Sequence, residues 1–539
     1  MKNSLIFAAM AFGMFLPATG QAPVSNEEVI SKIIEIGTTD NKVMHHLDVL
    51  NNRFGGRPIG SDAYENAADW LIREYEKLGI KAWKEEAGEV PVGFNRGAWF
   101  GKLHAGEDGM TLHFATPSYT SGTHGVQKGH VLIEPKDMNQ FKRMKHRLKG
   151  AWVLISGTSV NGWPIDKSAK GDSIRAAVRA ENDVIAHKND SLMTENWEKG
   201  TNHEMLPYKE EPALFYKEML DAGVLGFVKS AKVPIRALYD RSLVNDSTTT
   251  FDSLPTTPEI LLDEHQFAKI EQMVKERRDI ELEFDIRNFF KLGPVKYHNI
   301  IAEIPGTEFP DEYVLVTGHL DSYDVATGGI DCGTGIGPML ETARLLAMSG
   351  AKPKRTIRFI AFAGEEFGLL GAKAYVKDHK DELKNISMMF NRDGGPTPPV
   401  GMRVPAAMKE DIEKATAPIK RINDEYPFEV SVAKPRVKPT QAGGTDAMVF
   451  YVEGVPIYGF NESDFKGYNF NYGEIWHTER DLFNKHIPEY QEYTAVATAL
   501  GALGVANLDN LLSREGMFID ADKIKTDKVK NKKKNKKNK

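Results

Sequence analysis

Two histidines and five acidic residues in the second half of the sequence have the types and spacing of a metal site. In chain order they are His319, Asp321, Asp331, Glu365, Glu366, Asp393 and His477. Imidazole and carboxylate ligands without thiolates suit Zn²⁺ or a similar divalent ion, whereas Mg²⁺ and Ca²⁺ sites use oxygen ligands alone. Two such ions can share one carboxylate, activate a water molecule and polarise a carbonyl group.

The adjacent acids Glu365 and Glu366 could divide two tasks between them. A glutamate that stays uncoordinated beside the metals can take the proton of the attacking water. One of the pair can therefore bind metal while the other acts as a base. A single His-x-Asp or Glu-Glu pair is usually a surface feature, and it is the combination of all these residues that favours a metal site.

Four apolar runs precede these residues and indicate strands that bring them to one place. The runs span residues 313–317, 356–362, 387–390 and 455–460, and they lead to His319 with Asp321, to Glu365 with Glu366, to Asp393, and to an aromatic loop that ends at His477. In an open α/β sheet, ligands bind outside the carboxyl ends of the strands. Asp331 lies in a glycine-rich segment, residues 328–333, just before an expected amphipathic helix. We expect all these side chains to converge at one sheet edge.

Three segments resemble the M28 family of co-catalytic zinc aminopeptidases and carboxypeptidases, in the branch that contains plasma glutamate carboxypeptidase (carboxypeptidase Q). They are GHLDSYDVATGGIDCGTG at 318–335, AGEEFGLLG at 363–371 and WHTERD at 476–481. The resemblance covers roughly residues 30–100 and 290–510. The short spacing of twelve residues between His319 and Asp331 favours M28 over the M20 amidohydrolases.

The resemblance implies a role for each candidate residue. His319 and Asp393 would bind one zinc ion, Glu366 and His477 would bind the other, Asp331 would bridge them, and Glu365 would be the general base and acid. Asp321 would orient His319, and Asp481 would do the same for His477. The expected cofactor is two Zn²⁺ per chain, with other divalent metals as an alternative.

Two positions depart from the commonest pattern of the family. Cys332 stands where the residue after the bridging aspartate is usually Asn or Asp, and it is either a simple replacement or an extra contact to the metals. Trp476 stands where some members have a tyrosine that stabilises the oxyanion. Tyr468 or Tyr472 in the same loop could serve instead, and the sequence does not decide between them.

The chain divides into segments of different character. Residues 1–20 have the layout of a signal peptide, because Lys2 precedes an apolar run over residues 5–16 that is too short to span a bilayer. Residues 21–110 and 291–512 form the expected peptidase domain, a mixed, mostly parallel α/β sheet sandwiched by helices (the zinc-exopeptidase fold). Residues 111–290 contain short β-like runs, at 130–133, 152–155 and 226–228, and exposed polar loops, including the stretch 158–212. They resemble an inserted, mostly β protease-associated (PA) domain.

The composition narrows the class of protein further. The single cysteine excludes an internal disulfide framework. The net charge is -6, although residues 523–539 carry ten lysines and one aspartate. We expect this basic segment, within a tail over residues 513–539, to be solvated and not to bind nucleic acid.

The sequence therefore predicts a secreted or periplasmic metallo-exopeptidase without a transmembrane span. Its expected substrates are short peptides or dipeptides, cleaved at the amino terminus, and the resemblance is compatible with a homodimer. One alternative is a carboxypeptidase or N-acyl amino-acid hydrolase. Another is a non-catalytic, receptor-like binding protein, although such relatives lose metal ligands that are present here. A glutaminyl cyclase, with one zinc and no insert, fits less well.

Overall fold

The computed structural model describes residues 25–156, 171–199, 201, 203–209, 215–237, 250–254 and 256–519. The predicted signal peptide and the basic segment 523–539 lie outside these residues. The long polar stretch 158–212 is described only in part.

Three α-helices precede the first strand of the described chain, and helices and strands are interspersed from residue 309 onward. The described helices are α1 (Asn26–Thr39), α2 (Val43–Asp48), α3 (Asp62–Lys77), α4 (Met138–Met144), α5 (Gly171–Lys199), α6 (Tyr216–Asp221), α7 (Glu264–Lys275), α8 (Gly333–Ser349), α9 (Leu370–Asp378), α10 (Lys409–Thr416), α11 (Ala447–Val452) and α12 (Pro488–Ala506). The longest of them is α5.

The strands form two large sheets and three small ones among the described residues. They are β1 (Lys81–Val90), β2 (Gly93–Asn95), β3 (Trp99–His104), β4 (Met110–Thr111), β5 (Phe114–Ala115), β6 (Gln127–Ile133), β7 (Trp152–Ile155), β8 (Gly226–Ala231), β9 (Glu259–Asp263), β10 (Glu281–Ile286), β11 (Phe289–Lys291), β12 (Val295–Ile304), β13 (Phe309–His319), β14 (Arg355–Phe362), β15 (Ile386–Asn391), β16 (Pro399–Val404), β17 (Glu429–Val432), β18 (Arg436–Val437), β19 (Phe460–Glu462) and β20 (Phe518–Ile519).

The first large sheet contains the strands that precede the candidate site. Its order is β1-β12-β14-β13-β15. Strand β13 is parallel to both β14 and β15, whereas β12 is antiparallel to β14 and to β1. The expected mixed α/β sheet is confirmed.

Helices cover both faces of this sheet. Successive side chains of a strand point to opposite faces, so one apolar strand can pack against both layers of helices. Along β13, Val314 and Val316 pack into the larger apolar core, which includes residues of α1, α3, α8 and α12. Tyr313 and Leu315 pack into a second core on the other face, with residues of α9 and α11. The alternation places the sheet between two helical layers.

Helix α8 is buried along nearly its whole length, and this differs from the expected amphipathic pattern. Residues Gly333 to Leu346 are all buried. The helix contacts α1, α2, α12 and strand β13, so little of its surface meets solvent. Its polar residues are paired inside the protein, since Glu341 accepts hydrogen bonds from Arg344 (2.9 Å) and lies 3.1 Å from His46.

The second large sheet belongs to the predicted insert. Its order is β4-β3-β10-β6-β7-β8-β9-β5, and the predicted runs 130–133, 152–155 and 226–228 all lie in its strands β6, β7 and β8. Strand β3 pairs with β10 from Trp99 to His104, so this sheet begins before the predicted boundary at residue 111. The exact domain boundaries stay a prediction.

Two local expectations differ from the structure. The stretch 158–212 was expected to be exposed loops, but Gly171–Lys199 is a helix of 29 residues. Its sequence after Gly171 contains no proline or glycine, but its apolar residues show only weak helical periodicity, so the pattern did not indicate a helix.

The run 455–460 was expected to be a strand, but residues 455–459 are not in a strand. Strand β19 begins only at Phe460. Pro456, which has no N–H, cannot donate to a sheet ladder.

The insert and the peptidase domain also share a core contact. Ile235 and Ala237, which follow strand β8, are fully buried and belong to the same apolar core as the central sheet. Among the residues that the structure covers, we find no helix with the length and apolar character needed to cross a bilayer.

Candidate metal centre

His319 stands at the end of strand β13 with its two ring nitrogens in different environments. Its Nδ1 lies 2.9 Å from the main-chain carbonyl oxygen of Asp321. Because a carbonyl can only accept, Nδ1 carries the proton and Nε2 presents its lone pair. Nε2 lies 3.1 Å from Asp331 Oδ1 and 3.3 Å from Asp393 Oδ1. The imidazole is therefore aimed at two carboxylates, in the way a metal ligand would be.

His477 has a matching environment on the other side of the centre. Its Nε2 lies 3.0 Å from Glu366 Oε2 and 3.4 Å from Asp331 Oδ2. The ring is held between Trp476 and Tyr323, with ring centroids 4.2 Å and 4.5 Å away. The backbone of His477 has φ +60°. Residues other than glycine seldom adopt this conformation, and it is concentrated at functional sites.

Asp331 lies between His319 and His477, and its carboxylate contacts both rings. Its Oδ1 faces His319 and its Oδ2 faces His477. Burial alone would raise the pKa of Asp331, but the hydrogen bonds to the two histidines hold it well below its usual value. The side chain is only 5% exposed. The peptide bond between Asp331 and Cys332 is cis.

The carboxylate of Asp321 binds main-chain N–H groups of the site. Its carboxylate accepts the N–H of Glu365 (Oδ1, 3.1 Å) and the N–H of Glu366 (Oδ2, 3.2 Å). Its Oδ1 is 3.6 Å from His319 Nδ1, which instead donates to the Asp321 carbonyl. The side chain thus fixes the turn that carries both glutamates, and this contact was not anticipated from the sequence.

Asp481 also binds the main chain of a site loop. It accepts the N–H of Ile330 at 2.5 Å and lies 3.3 Å from the N–H of Asp331. Sequence reasoning placed Asp481 beside His477, whereas the structure places it behind Asp331. Burial and the charge of Asp331 raise the pKa of Asp481 to about 7.

Glu365 is half-buried, and its carboxylate belongs to neither of the two ligand groups. Burial is the main cause that raises the pKa of Glu365 well above its usual value, and the carboxylates of Asp393 and Glu366 add to it. A carboxyl group in this environment can hold a proton more readily than one in water.

Cys332 lies with His319 and Asp393 in one of the two groups of potential ligand atoms. Its Sγ donates to the carbonyl of Arg392 at 3.2 Å, and the sulfur lies within 4.8 Å of ligand atoms of His319 and Asp393. Burial raises the pKa of this thiol to about 11, so it is protonated near neutral pH. Gly335 makes room for it, because a Cβ there would approach Cys332 Sγ to 2.5 Å.

Arg57 is a site residue that sequence reasoning missed. Its side chain is fully buried, and it donates to the carbonyl of Leu320 (2.7 Å) and to that of Thr327 (2.9 Å). These carbonyls belong to the loop between His319 and Asp331. Nothing local in the sequence marks Arg57 as a site residue, because its partners in that loop are more than 260 residues away.

The structure also distinguishes the two tyrosines that the sequence left open. Tyr468 is exposed, and its hydroxyl is hydrogen-bonded to Glu489. Burial raises the pKa of Tyr472 above its usual value, and the negative charges of Asp331 and Asp393 add to this effect. Of the two tyrosines, Tyr472 is thus the half-buried one whose hydroxyl is influenced by the charges of the site.

The chain can now be compared with known proteins. Residues 299–501, which contain every ligand candidate, match the model of peptidase family M28. This M28 segment makes up less than half of the chain. It holds strands β13, β14 and β15 and the loops at their carboxyl ends.

Similarity to curated proteins extends beyond the M28 segment. Carboxypeptidase Q from Mus musculus is 27% identical over 318 residues, which cover 56% of this chain and 63% of that protein. The chain therefore spans less than two thirds of this relative's length. A protein named probable zinc metalloprotease, from Pyrenophora tritici-repentis, is 42% identical over 108 residues, covering 19% of this chain and 24% of that protein.

A solved structure shares the fold. The peptidase M28 precursor from Shewanella amazonensis matches with a TM-score of 0.55 and 20% sequence identity, covering 90% of this chain and 98% of that chain. The match extends over nearly all of that protein, so the two chains share a fold.

Proposed function

We propose that the chain is an exported di-zinc exopeptidase that releases N-terminal residues from short peptides or dipeptides. The observation that carries this proposal is the position of Asp331, whose two carboxylate oxygens each face a different histidine. Each histidine also faces a second carboxylate, Asp393 in one group and Glu366 in the other. Two ligand sets that share one carboxylate form the arrangement expected for a pair of metal ions.

The distances within both sets fit zinc. Two donor atoms bound to one tetrahedral zinc ion at about 2.0–2.1 Å lie about 3.3 Å apart. The distances between imidazole nitrogen and carboxylate oxygen here run from 3.0 to 3.4 Å. Four buried or half-buried acids, Asp331, Glu365, Glu366 and Asp393, also concentrate negative charge that a pair of divalent cations would neutralise.

The metal is inferred to be zinc from the donor types and from the fungal relative's name, probable zinc metalloprotease. His319 with Asp393 would hold one ion, and His477 with Glu366 would hold the other. Bound there, the ions would polarise the scissile carbonyl and lower the pKa of a water molecule. Other divalent metals with similar ligand preferences would fit the same donors.

Glu365 is proposed to move the proton. It would accept a proton from the attacking water and pass it to the nitrogen of the leaving amine. Asp321 holds the turn that carries Glu365 and Glu366 by accepting hydrogen bonds from both of their N–H groups. The hydroxyl of Tyr472 is the proposed donor to the oxygen that develops negative charge, because its raised pKa keeps it protonated.

A carboxypeptidase is the second candidate, and the name of the mouse relative favours it. The test is hydrolysis of aminoacyl amides, N-blocked peptides and dipeptides by the zinc-loaded protein, with and without a chelator. Cleavage of aminoacyl amides and dipeptides but not of N-blocked peptides supports the proposal. Preferred cleavage of N-blocked peptides would support a carboxypeptidase or N-acyl hydrolase. Peptide binding without turnover would support a receptor-like protein.

Export is the remaining part of the proposal, and it rests on the signal-peptide layout of residues 1–20. N-terminal sequencing of the protein from its native source should begin at or near Gln21. A chain that still carries Met1 and the apolar run 5–16 would contradict export.

A further inference from the structure

The predicted insert contributes a short segment to the edge of the metal centre. Arg236 forms an antiparallel β-bridge with Thr478, the residue that follows His477. Next to the bridge, Ile235 and Glu479 are joined by two hydrogen bonds. The Ile235 N–H donates to the Glu479 carboxylate (2.9 Å), and the Glu479 N–H donates to the Ile235 carbonyl (3.0 Å). The backbone of Arg236 is therefore fixed next to a candidate metal ligand.

The side chain of Arg236 is placed by an aromatic contact. Its guanidinium carbon lies 4.3 Å from the ring centroid of Trp476, and the Trp476 ring lies 4.2 Å from the His477 ring. Stacking on a tryptophan face covers one flat side of the guanidinium and leaves its N–H edges available. Arg236 is exposed to solvent, whereas the neighbouring Ile235 is fully buried.

Arg236 differs from the other arginines near the centre because no acidic side chain among the described residues pairs with it. Arg392 pairs with Glu462 at 2.7 Å, and Arg480 lies 3.8 Å from Glu474. Arg57 is buried and bound to main-chain carbonyls. Within the described parts of the chain, no carboxylate lies within ion-pair distance of Arg236. Its charge is thus available to a ligand.

We infer that Arg236 binds the terminal carboxylate of a short peptide whose scissile bond lies at the metal centre. This inference rests on the proposed exopeptidase function and deepens it, because it selects substrates that end close to the cleaved bond. Arginine recognises carboxylates through paired, charge-assisted hydrogen bonds, which lysine and neutral side chains do not reproduce. The insert would then set the length of the preferred substrate.

The test compares two substrates of equal length, Leu-Gly and Leu-glycinamide, which differ only in the terminal negative charge. The zinc-loaded wild-type protein should hydrolyse the free acid about 10- to 100-fold more efficiently in kcat/KM, mainly through a lower KM. Arg236→Gln should remove this preference by slowing hydrolysis of the free acid alone. Arg236→Lys should restore part of it.

Lys232→Gln is the matched control, because Lys232 is an exposed cation in the same segment and has no contact with Trp476 among the described residues. It should leave the ratio between the two substrates unchanged. Equal slowing of both substrates by Arg236→Gln would overturn the inference and leave Arg236 with a structural role. Wild-type hydrolysis of both substrates at equal rates would also overturn it while leaving the proposed function intact. Hydrolysis of neither substrate would instead contradict the proposed function itself.

Discussion

The adjacent acids Glu365 and Glu366 have different surroundings, although they share one turn. Glu366 is buried and lies 3.0 Å from His477, whereas Glu365 is half-buried and outside both ligand sets. Their N–H groups are held by the two oxygens of one carboxylate, that of Asp321. This shared anchor allows neighbouring residues to have separate roles.

Substitution of these two acids should separate proton transfer from metal binding. Glu365→Gln keeps the size of the side chain and both ligand sets, so metal content should stay while kcat falls by about 10²–10⁴-fold. Glu366→Gln removes a charged ligand, so one metal ion should be lost together with activity. The measurements are metal analysis and peptide hydrolysis. If Glu365→Gln loses metal and Glu366→Gln retains it, the two roles are exchanged.

Asp331 should matter more for metal content than either histidine, because its two oxygens face both ligand sets. The wild-type protein should bind about two zinc ions per chain, and His319→Ala should keep about one. Asp331→Ala should keep almost none. The measurement is the zinc-to-protein ratio after dialysis, with unchanged circular dichroism as the check on folding. Equal metal content in the two variants would argue against a bridging role for Asp331.

The sequence alone singled out the candidate ligands that the structure brings together, because each of them follows an apolar run or a glycine-rich segment, and metal binding by them stays a prediction. It did not identify the contacts behind them. Asp321 and Asp481 act on main-chain N–H groups, and Arg57 binds carbonyls of a distant loop. Main-chain donors and acceptors are present at every residue, so side-chain types cannot indicate which ones will meet.

At the scale of elements, the end of strand β13 and the turn after β14 are joined by the Asp321 carboxylate. Asp321→Asn keeps the shape but replaces one accepting oxygen with an N–H₂ group that cannot accept from the main chain. A buried N–H left without a partner costs about 1–3 kcal/mol. We expect kcat to fall about 10-fold or more, with a lower melting temperature.

The matched control for this change is Asp311→Asn, an exposed acid on the same strand. It should alter neither kcat nor the melting temperature. If Asp321→Asn retains full activity, the carboxylate does not hold the glutamate turn in place.

Strand prediction succeeded where the chain runs through the buried centre of the sheet. Strands β13 and β14 are long apolar runs, and a parallel strand covered on both faces requires such residues. Prediction was wrong for residues 455–460, an equally apolar run that lies beside β15 without joining it, with Met389 donating to the Pro456 carbonyl. Burial selects apolar residues in both cases, and only the backbone partners distinguish them.

At the scale of the whole molecule, His113 joins the predicted insert to the loop that carries His477. Its Nδ1 lies 3.1 Å from Asp263 and its Nε2 lies 2.6 Å from Glu479, the residue that also holds Ile235. Burial lowers the pKa of His113, but the hydrogen bonds to Glu479 and Asp263 outweigh this and raise it above the usual value.

This contact should make the stability of the protein depend on pH. A pKa that is raised in the folded state contributes stability below the unfolded value of about 6.5, and this contribution is lost as pH rises through the folded value. His113→Gln should therefore lower the melting temperature more at pH 5.5 than at pH 9. His124→Gln, an exposed histidine of the insert, is the control and should show no such difference. An equal loss at both pH values would exclude a charged His113.

The position of Arg57 has a consequence for the order in which the protein matures. The site combines Arg57 from the first part of the chain, Asp331 from its second half, and Asp481, which follows His477. Contacts between residues so far apart form late, because long loops must close before they are stabilised. An unfinished chain that lacks the residues after 476 has neither the candidate ligand His477 nor Asp481. During synthesis the proposed two-metal site would therefore be incomplete until these residues have been added, and a chain truncated before them should bind less metal and lack activity.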